Sequence, residues 1–448
     1  MSGATPAHEP GLWKRGILWL LMLGPFFFLS YGFANWVTSQ RAGVGSVVFA
    51  WEQAIPLLPW TIIPYWSIDL LYGLSFLLPH TRREMDRHAE RLLTAQILCV
   101  ACFLIWPLTF SLTRPPLDGP TGWLFDVLMG FDQPFNQAPS LHIVLLVVLW
   151  ARYAAHTPAR WRWLLHGWFL LIGISVLTTW QHHFIDVPTG LLAGFLCLWL
   201  WPDDGPSPLA TARLTQDPRR RALALRYCVG ALGLALIGQG LGGAALWLYW
   251  PAVSLLMVAL NYLAFDAAGF QKQLSGRLSA SARWLFAPYL VGAWINSRLW
   301  TRRAPEPVHV MDNIWLGRLP AAHGADRFDA IVDLCAELPL HPENKPYCSL
   351  PVLDLTAPDS ALCVRAATAI ENLRPHGTVL VCCALGYSRS ATAIAAWMLH
   401  TGRYGTSRDA LARLRAARPH VVLTDAQLLA LAPLARQPSS SEVAAHGI

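Results

Sequence analysis

Eight apolar stretches in the N-terminal part of the chain limit what it can fold into. A helix needs roughly 20 apolar residues to cross a hydrocarbon core of about 30 Å, and each stretch is close to that length. The stretches cover residues 16–38, 56–79, 92–112, 141–157, 163–180, 184–201, 223–247 and 251–270. The sequence therefore predicts an all-α polytopic membrane bundle of about eight spans, beginning with an uncleaved anchor.

Charged residues divide the chain into two parts. Residues 1–270 contain 30 Asp, Glu, Lys and Arg, whereas the shorter stretch 271–448 contains 31. Charged residues are 14% of the whole chain and mean hydropathy is +0.37, whereas an average soluble domain carries about 25% charged residues. The composition argues against a single cytosolic enzyme and predicts a membrane part followed by a soluble part.

The basic residues between the apolar stretches predict the orientation of the chain. When successive loops are assigned to alternate sides, one side receives nearly all the Lys and Arg, and the other receives Arg41 and Arg114. The positive-inside rule places the rich side, both termini and the soluble part in the cytoplasm. No basic run is interleaved with stacking aromatics, so the net charge of +7 predicts membrane orientation and no nucleic-acid partner. We expect a multi-pass protein of a bacterial inner membrane.

Four parts follow along the chain: a membrane domain at 1–270, a linker at 271–305, a soluble domain at 306–436 and a disordered tail at 437–448. The linker mixes Arg with Trp, Phe, Leu and Tyr. It is either an amphipathic segment on the inner leaflet or an ordinary helix packed on the next domain. In the soluble part, the strand-like runs HVMDNIWLG, FDAIVDLC and GTVLVCC alternate with helical stretches, which predicts an α/β domain.

The sharpest motif is VLVCCALGYSRSATAIAAWMLH, in which a strand-like run ends at Cys383 and a helix begins at Arg389 and Ser390. A loop between a strand and a helix directs backbone N–H groups at one point, where they can bind a phosphate dianion. The same field lowers the pKa of a thiol and so favours the nucleophilic thiolate. Arg389 can bind two phosphoryl oxygens with its planar fork, and Gly386 and Ser388 are predicted to bind substrate in the loop.

This motif resembles that of the dual-specificity phosphatases of the protein tyrosine phosphatase superfamily. The resemblance implies that Cys383 forms a phosphocysteine intermediate, that Arg389 binds the phosphoryl group and that Ser390 eases departure of the thiolate. The general acid would be Asp354, upstream of the cysteine in the stretch LPVLDLTAPD, with Asp359 as the second candidate. Either aspartate could instead cap a turn or a helix.

Two observations bear on the substrate of the cysteine loop. The stretch VLDLTAP resembles the branch that includes mitochondrial phosphatidylglycerophosphate phosphatase, and a membrane tether favours a lipid. The loop offers no basic side chain between Cys383 and Arg389 for additional phosphates. We therefore predict a mono-phosphorylated lipid headgroup or a phosphoprotein. The family's usual His before the nucleophile is replaced by Cys382, which we interpret as a buried strand residue rather than a redox partner.

A second constellation lies on the side predicted to face outward: Arg114 in SLTRPP, Ser140 and His142 in NQAPSLH, and His182 and Asp186 in TTWQHHFIDVPTG. An Asp or Arg at membrane depth costs about 2.5–3.5 kcal/mol on insertion scales, so charged or titratable groups there tend to be functional. The pattern resembles the type 2 phosphatidic acid phosphatase superfamily, a six-helix core, over residues 56–201. It implies His182 as nucleophile, Asp186 as its orienting carboxylate, His142 as proton donor, and Arg114 and Ser140 as phosphoryl ligands.

The membrane motifs depart from that family at two cationic positions, where Pro107 and Val176 stand in place of Lys and Arg. The forms PSLH and HHFID resemble the inositol phosphorylceramide synthase branch, which transfers a phosphorylated headgroup between lipids. Hydrolysis and transfer therefore stay open at this site. His183 is predicted to be a neighbour without a catalytic role.

Together the motifs predict a membrane-bound phosphoric monoester hydrolase with two sites, a histidine site facing outward and a cysteine site in the cytoplasm. Its expected partners are membrane lipids and a phospholipid or other phosphorylated lipid substrate, and no cofactor or metal is expected. Two alternatives remain. The soluble domain could be a protein tyrosine/serine/threonine phosphatase coupled to a headgroup transferase, or the membrane domain could be degenerate and serve as an anchor or lipid sensor.

Overall fold

A computed structural model describes residues 9–321 and 324–435. The predicted tail at 437–448 lies outside these residues. Two compact units are present, residues 1–211 and residues 212–448. The predicted domain boundary at residue 270 falls inside the second unit and stays a prediction, because one compact unit can contain more than one domain.

The described part of the first unit is helical. Its α-helices are α1 (Leu12–Ser39), α2 (Ile62–Leu74), α3 (Arg82–Ile105), α4 (Gly119–Met129), α5 (Leu141–His156), α6 (Arg162–Thr178), α7 (Asp186–Leu200) and α8 (Pro208–Thr211). Each of the six apolar stretches predicted here overlaps one of these helices, and α3 begins ahead of its predicted stretch. The core between α1, α3, α5 and α7 is built from aliphatic and aromatic side chains such as Leu23, Phe103 and Val148.

Within the described residues, five helical segments are long and apolar enough to cross a membrane: Leu12–Ser39, Arg82–Ile105, Ala159–Thr178, Pro218–Leu241 and Gly243–Phe265. Leu141–His156 and Asp186–Leu200 are apolar but shorter. These helices agree with a membrane protein. The count of eight spans and the six-helix phosphatase core stay predictions.

Helices α5 and α7 pack closely because two glycines of α7 face α5. A Cβ atom at Gly190 would lie 2.7 Å from Cβ of Ile143, and one at Gly194 would lie 2.7 Å from Cβ of Val147. Small residues four positions apart let helix backbones approach in membrane bundles. This contact fixes the N-terminal end of α7 beside the N-terminal end of α5, where the histidine motifs lie.

The second unit joins four helices to an α/β domain with a mixed sheet. The helices are α9 (Pro218–Leu241), α10 (Tyr249–Leu260), α11 (Ala280–Leu285) and α12 (Ala287–Trp300), then α13 (Ser360–Leu373), α14 (Arg389–His400), α15 (Ser407–Ala417) and α16 (Asp425–Leu431). The strands are β1 (Val308–Met311), β2 (Ile314–Arg318), β3 (Ala330–Cys335), β4 (Tyr347–Val352) and β5 (Val379–Cys383). The order is β1-β2-β5-β3-β4, with β1 antiparallel to β2 and the other neighbours parallel.

The α/β prediction is confirmed for the soluble part, with two differences in the strands. The run HVMDNIWLG forms two strands, since the chain reverses at Asp312, whose φ is +48°. Strand β4 was not among the predicted strands. It lies at the edge of the sheet and only its last residue is fully buried, so it lacks the continuous apolar run that marks β3 and β5.

Candidate active sites

The cysteine loop runs from the end of the central strand β5 to the first turn of α14. The backbone N–H of Gly386 points to Sγ of Cys383 at 3.3 Å, and Oγ of Ser390 lies 3.2 Å from the same sulfur. Gly386 has φ +73°, and a Cβ there would lie 2.4 Å from the carbonyl carbon of Gly317. Only glycine fits this turn, which directs the Gly386 N–H toward the sulfur at the start of the helix.

Arg389 is buried at the start of α14 and is held by acceptors on three sides. Both guanidinium Nη atoms donate to the Glu337 carboxylate at 2.8 Å, and Nη1 also donates to the Val352 carbonyl at 2.8 Å. Oδ1 of Asp354 lies 3.0 Å from Nη2. Burial alone would raise the pKa of Glu337, but the charge and hydrogen bonds of Arg389 outweigh it and leave that pKa lowered. The guanidinium fork is therefore fixed in orientation before substrate binds.

The sequence analysis missed Glu337. It follows the buried strand β3 at the carboxyl edge of the parallel sheet, the same edge as the cysteine loop, and that position was the available signal. Lys272 stabilises the segment around Glu337. The Nζ atom of Lys272 donates to the carbonyls of Cys335 and Leu338 at 2.6 and 2.8 Å and to Asp333 at 2.6 Å. The Lys272–Asp333 pair is fully buried. The chain after α10 thus supports the residue that orients Arg389.

Asp354 follows β4 and faces the same guanidinium. Burial raises the pKa of its carboxyl, Arg389 opposes this, Glu337 adds to it, and the net result is a raised pKa. A raised pKa keeps the carboxyl protonated to higher pH, as a general acid requires. Asp359, the second candidate, accepts a hydrogen bond from the backbone N–H of Leu362 at 2.6 Å and caps α13. Asp359 is therefore a helix-capping residue.

The remaining cysteine-loop residues are tied to neighbouring segments. The Ser388 hydroxyl accepts a hydrogen bond from Nε2 of Gln427 at 2.7 Å, which joins the predicted substrate-binding serine to α16. The carbonyl of Ala384 accepts from the Ser297 hydroxyl of α12 at 2.6 Å. Cys382 is fully buried and burial raises the pKa of its thiol, as expected for an inert strand residue.

In the first unit, Asp186 at the start of α7 contacts both histidines that precede it, His182 and His183. Its Oδ2 lies 3.1 Å from Nδ1 of His182 and accepts the backbone N–H of His183 at 3.0 Å. The backbone N–H of Ser140 donates to the Asp186 carbonyl at 3.1 Å. Ser140 also caps α5, since its hydroxyl accepts from the N–H of Ile143 at 3.3 Å. The two predicted motifs therefore meet at one place.

His142 and Arg114 lie beside this pair. The His142 ring stacks on Tyr65 with centroids 4.1 Å apart, is in electrostatic range of His182, and its Nε2 has no hydrogen-bond partner among the described residues. Arg114 donates to the carbonyls of Thr179 and Trp180 at 3.1 and 3.0 Å, just before His182. All five predicted residues of the histidine site are thus close to one loop.

Two carboxylates of this unit were missed by the sequence analysis. Glu52 is buried, lies 2.9 Å from Nδ1 of His183 and accepts the backbone N–H of Phe184 at 2.9 Å. Asp132 accepts from the Tyr31 hydroxyl at 2.7 Å, and burial raises its pKa although that hydrogen bond opposes the shift. Both come from loops distant in sequence, so no local pattern marks them. Glu52 therefore contacts the histidine loop at both His183 and Phe184.

Comparisons with known proteins concern the soluble part. Residues 315–436 match the family model described as dual specificity phosphatase, catalytic domain. Similar solved structures include Tk-PTP in the active form, 29% identical, covering 29% of this chain and 97% of that chain with a TM-score of 0.27. Human DUSP28 is 23% identical (29% and 93% covered, TM-score 0.27), and PTPMT1 in complex with PI(5)P is 19% identical (32% and 99% covered, TM-score 0.24). No curated protein matches the chain.

Proposed function

Taking residues 315–436 as a dual-specificity phosphatase catalytic domain, which hydrolyses phosphate esters, we propose that the chain is a membrane-bound phosphatase of phospholipids with a second phosphoryl-transfer site among its N-terminal helices. The observation that carries the first site is the cluster around Cys383. Its sulfur faces the N–H of Gly386 and the hydroxyl of Ser390, with Arg389 following in the same loop.

The first step at this site forms an S–P bond and breaks the P–O bond of the substrate. Loop N–H groups and the Nε edge of Arg389, which the Glu337 hydrogen bonds do not occupy, bind the three terminal oxygens, and the charge of Arg389 stabilises the transition state. Sγ of Cys383 attacks as a thiolate opposite the leaving oxygen. That oxygen takes the proton of the Asp354 carboxyl and departs as an alcohol.

The second step regenerates the enzyme. Water attacks the phosphocysteine, its proton passes to the Asp354 carboxylate, and inorganic phosphate forms as the S–P bond breaks. The Ser390 hydroxyl, 3.2 Å from the sulfur, donates a hydrogen bond to the departing thiolate. The net reaction is hydrolysis of a phosphomonoester to alcohol and phosphate.

A phosphomonoester lipid is supported by the chain's own composition. Apolar helices long enough to cross a membrane belong to the same chain as the phosphatase domain. The loop residues between Cys383 and Arg389 carry no cation that could bind additional phosphates. A single phosphate on a lipid headgroup therefore suits the site.

The second site rests on the pair His182 and Asp186, 3.1 Å apart. Asp186 fixes the imidazole so that Nε2 of His182 is free to attack phosphorus, and His142 protonates the leaving oxygen. Water then completes hydrolysis, or a lipid hydroxyl completes headgroup transfer. Pro107 and Val176 replace two cationic ligands, so the site has less positive charge with which to bind a phosphate group. A phosphodiester bears less negative charge than a monoester and suits such a site better. Headgroup transfer, which acts on a phosphodiester, is therefore the second candidate.

Single substitutions in the full chain separate the two sites. Phosphate release from phosphatidylglycerophosphate should be lost in Cys383→Ser and retained in His182→Ala, whereas exchange between labelled lipids should show the reverse. Unchanged phosphate release in Cys383→Ser would reject the lipid phosphatase. Turnover of phosphopeptides but of no lipid would select the protein phosphatase. Exchange unaffected by His182→Ala would reject His182 as nucleophile, and a wild-type chain without exchange would leave the membrane part an anchor or lipid sensor.

A further inference from the structure

A cavity of about 730 Å³ lies in the second unit, between the catalytic loop and the helices that precede the phosphatase domain. On the catalytic side it is lined by Glu337, Asp354 and the loop residues Ala384 and Leu385. Both carboxylates contact Arg389, so this cavity lies directly beside the cysteine site.

The opposite wall belongs to apolar helices. Helix α9 contributes Tyr227, α10 contributes Pro251 and Leu255, and α12 contributes Gly292 and Asn296. Both α9 and α10 lie in segments long and apolar enough to span a membrane. Apart from Glu337 and Asp354 the lining carries no Asp, Glu, Lys or Arg. Such a wall offers mainly apolar contact, which suits an acyl chain better than the polar backbone of an extended phosphopeptide.

Helix α12 presents different residues on two faces. Residues 289, 292, 296 and 300 follow one another at helical spacing and line the cavity. Large apolar side chains on the rest of the helix are exposed, namely Val291, Trp294, Ile295 and Leu299. Exposed apolar patches of this kind mark contact with a partner or a membrane, and α12 packs against α10, which lies in a segment suited to spanning a membrane.

We propose that this cavity is the lipid-binding site of the cysteine centre and that α12 lies against the bilayer as its entry wall. This rests on the proposed phosphatase function and names the substrate as a phosphomonoester that remains anchored in the membrane by its acyl chains. The phosphate reaches Cys383 while the chains lie against Leu255 of α10 and along Gly292 of α12. Binding energy from the chains then positions the phosphate at a loop that has a single cation.

The cavity can be filled without disturbing the catalytic residues. A Cβ at Gly292 meets no atom within 4 Å, so Gly292→Trp adds bulk to the cavity without a backbone clash. Asn296→Trp, one turn further along the same face, is an independent second variant. Gly240 of α9 is exposed, has equally open surroundings and lies outside the lining, so Gly240→Trp is the matched control.

The test compares full-length variants on dioleoyl phosphatidylglycerophosphate in phosphatidylcholine vesicles and on p-nitrophenyl phosphate. We expect both cavity variants to lower kcat/KM for the lipid at least tenfold and to change it less than twofold for the small ester, with Gly240→Trp unaltered. Unchanged lipid turnover, or equal losses on both substrates, would overturn the proposal. A wild-type chain that cleaves the small ester but no lipid would instead reject the proposed function itself.

Discussion

At the scale of single residues, the cysteine site is organised by two carboxylates that share one guanidinium but have pKa values shifted in opposite directions. Arg389 donates two hydrogen bonds to Glu337 and contacts Asp354 from one side. The pKa of Glu337 is lowered and that of Asp354 is raised. Groups whose environments separate their pKa values take different roles, and we therefore propose that Glu337 orients Arg389 and that Asp354 donates the proton.

Asp354→Asn tests this division through the pH profile. The raised pKa means that the acid stays protonated above the usual range of an aspartate, and activity declines as pH rises through that pKa. The variant should lose about 10²-fold or more in kcat for an alkyl phosphate. It should also lose the alkaline decline of kcat/KM, and an intact decline in Asp354→Asn would assign the proton to another group.

Glu337→Gln tests the orienting role. The amide cannot accept both guanidinium hydrogen bonds, so Arg389 loses its fixed direction, and we expect kcat/KM for p-nitrophenyl phosphate to fall about tenfold, roughly 1.4 kcal/mol. Glu306→Gln is the control, because Glu306 pairs with Arg327 at the surface, where an ion pair contributes about 0–1 kcal/mol. Equal activity of the two variants would show that Glu337 does not position Arg389.

Sequence reasoning found the residues that lie in contiguous motifs and missed those that complete the sites from elsewhere. Cys383, Gly386 and Arg389 occupy one loop, so their spacing carries the chemistry. Glu337 and Glu52 lie far in sequence from the motifs that they contact, and their positions beside Arg389 and His183 follow only from the fold. The catalytic roles themselves stay predictions.

At the scale of elements, the two histidine motifs depend on the packing of α5 against α7. The sequence marks both helices by their apolar composition, but it does not indicate which helices are neighbours. In the structure, Gly190 and Gly194 show that α5 and α7 are neighbours, because each lies so close to a β-branched residue of α5 that a Cβ atom there would clash. Strand β4 shows the same limit, since edge strands lack the apolar run that reveals buried ones.

Gly194→Leu should therefore separate these helices. Overpacking costs about 1–3 kcal/mol in well-packed cores, and here the new side chain would meet Val147 directly. We expect a lower melting temperature and loss of lipid exchange at His182, while p-nitrophenyl phosphate hydrolysis at Cys383 persists, because the two sites lie in different units. Gly167→Leu, on an open face of α6, should leave both unchanged. Loss in both variants would mean a general defect.

At the scale of the whole molecule, the low charge content of the N-terminal part and the position of its basic residues predict which side of the membrane each site faces. If the loops alternate as predicted, the His182 site faces outward and the Cys383 site faces the cytoplasm. The two proposed reactions would then act on opposite leaflets of one bilayer, and neither could use the other's product without lipid crossing the membrane. Orientation therefore decides whether the two sites can share a substrate.

Cysteine labelling tests that orientation directly. Asp118 and Asp204 are both exposed, Asp118 in the loop predicted outside and Asp204 in a loop predicted inside, so Asp118→Cys and Asp204→Cys form a matched pair. In spheroplasts, a membrane-impermeant maleimide should modify Asp118→Cys at once and Asp204→Cys only after lysis, with the unaltered chain giving the background from its own nine cysteines. The opposite pattern would invert the topology and place the cysteine site outside. Labelling of both positions in sealed spheroplasts would show that the intervening helices do not cross the membrane as predicted.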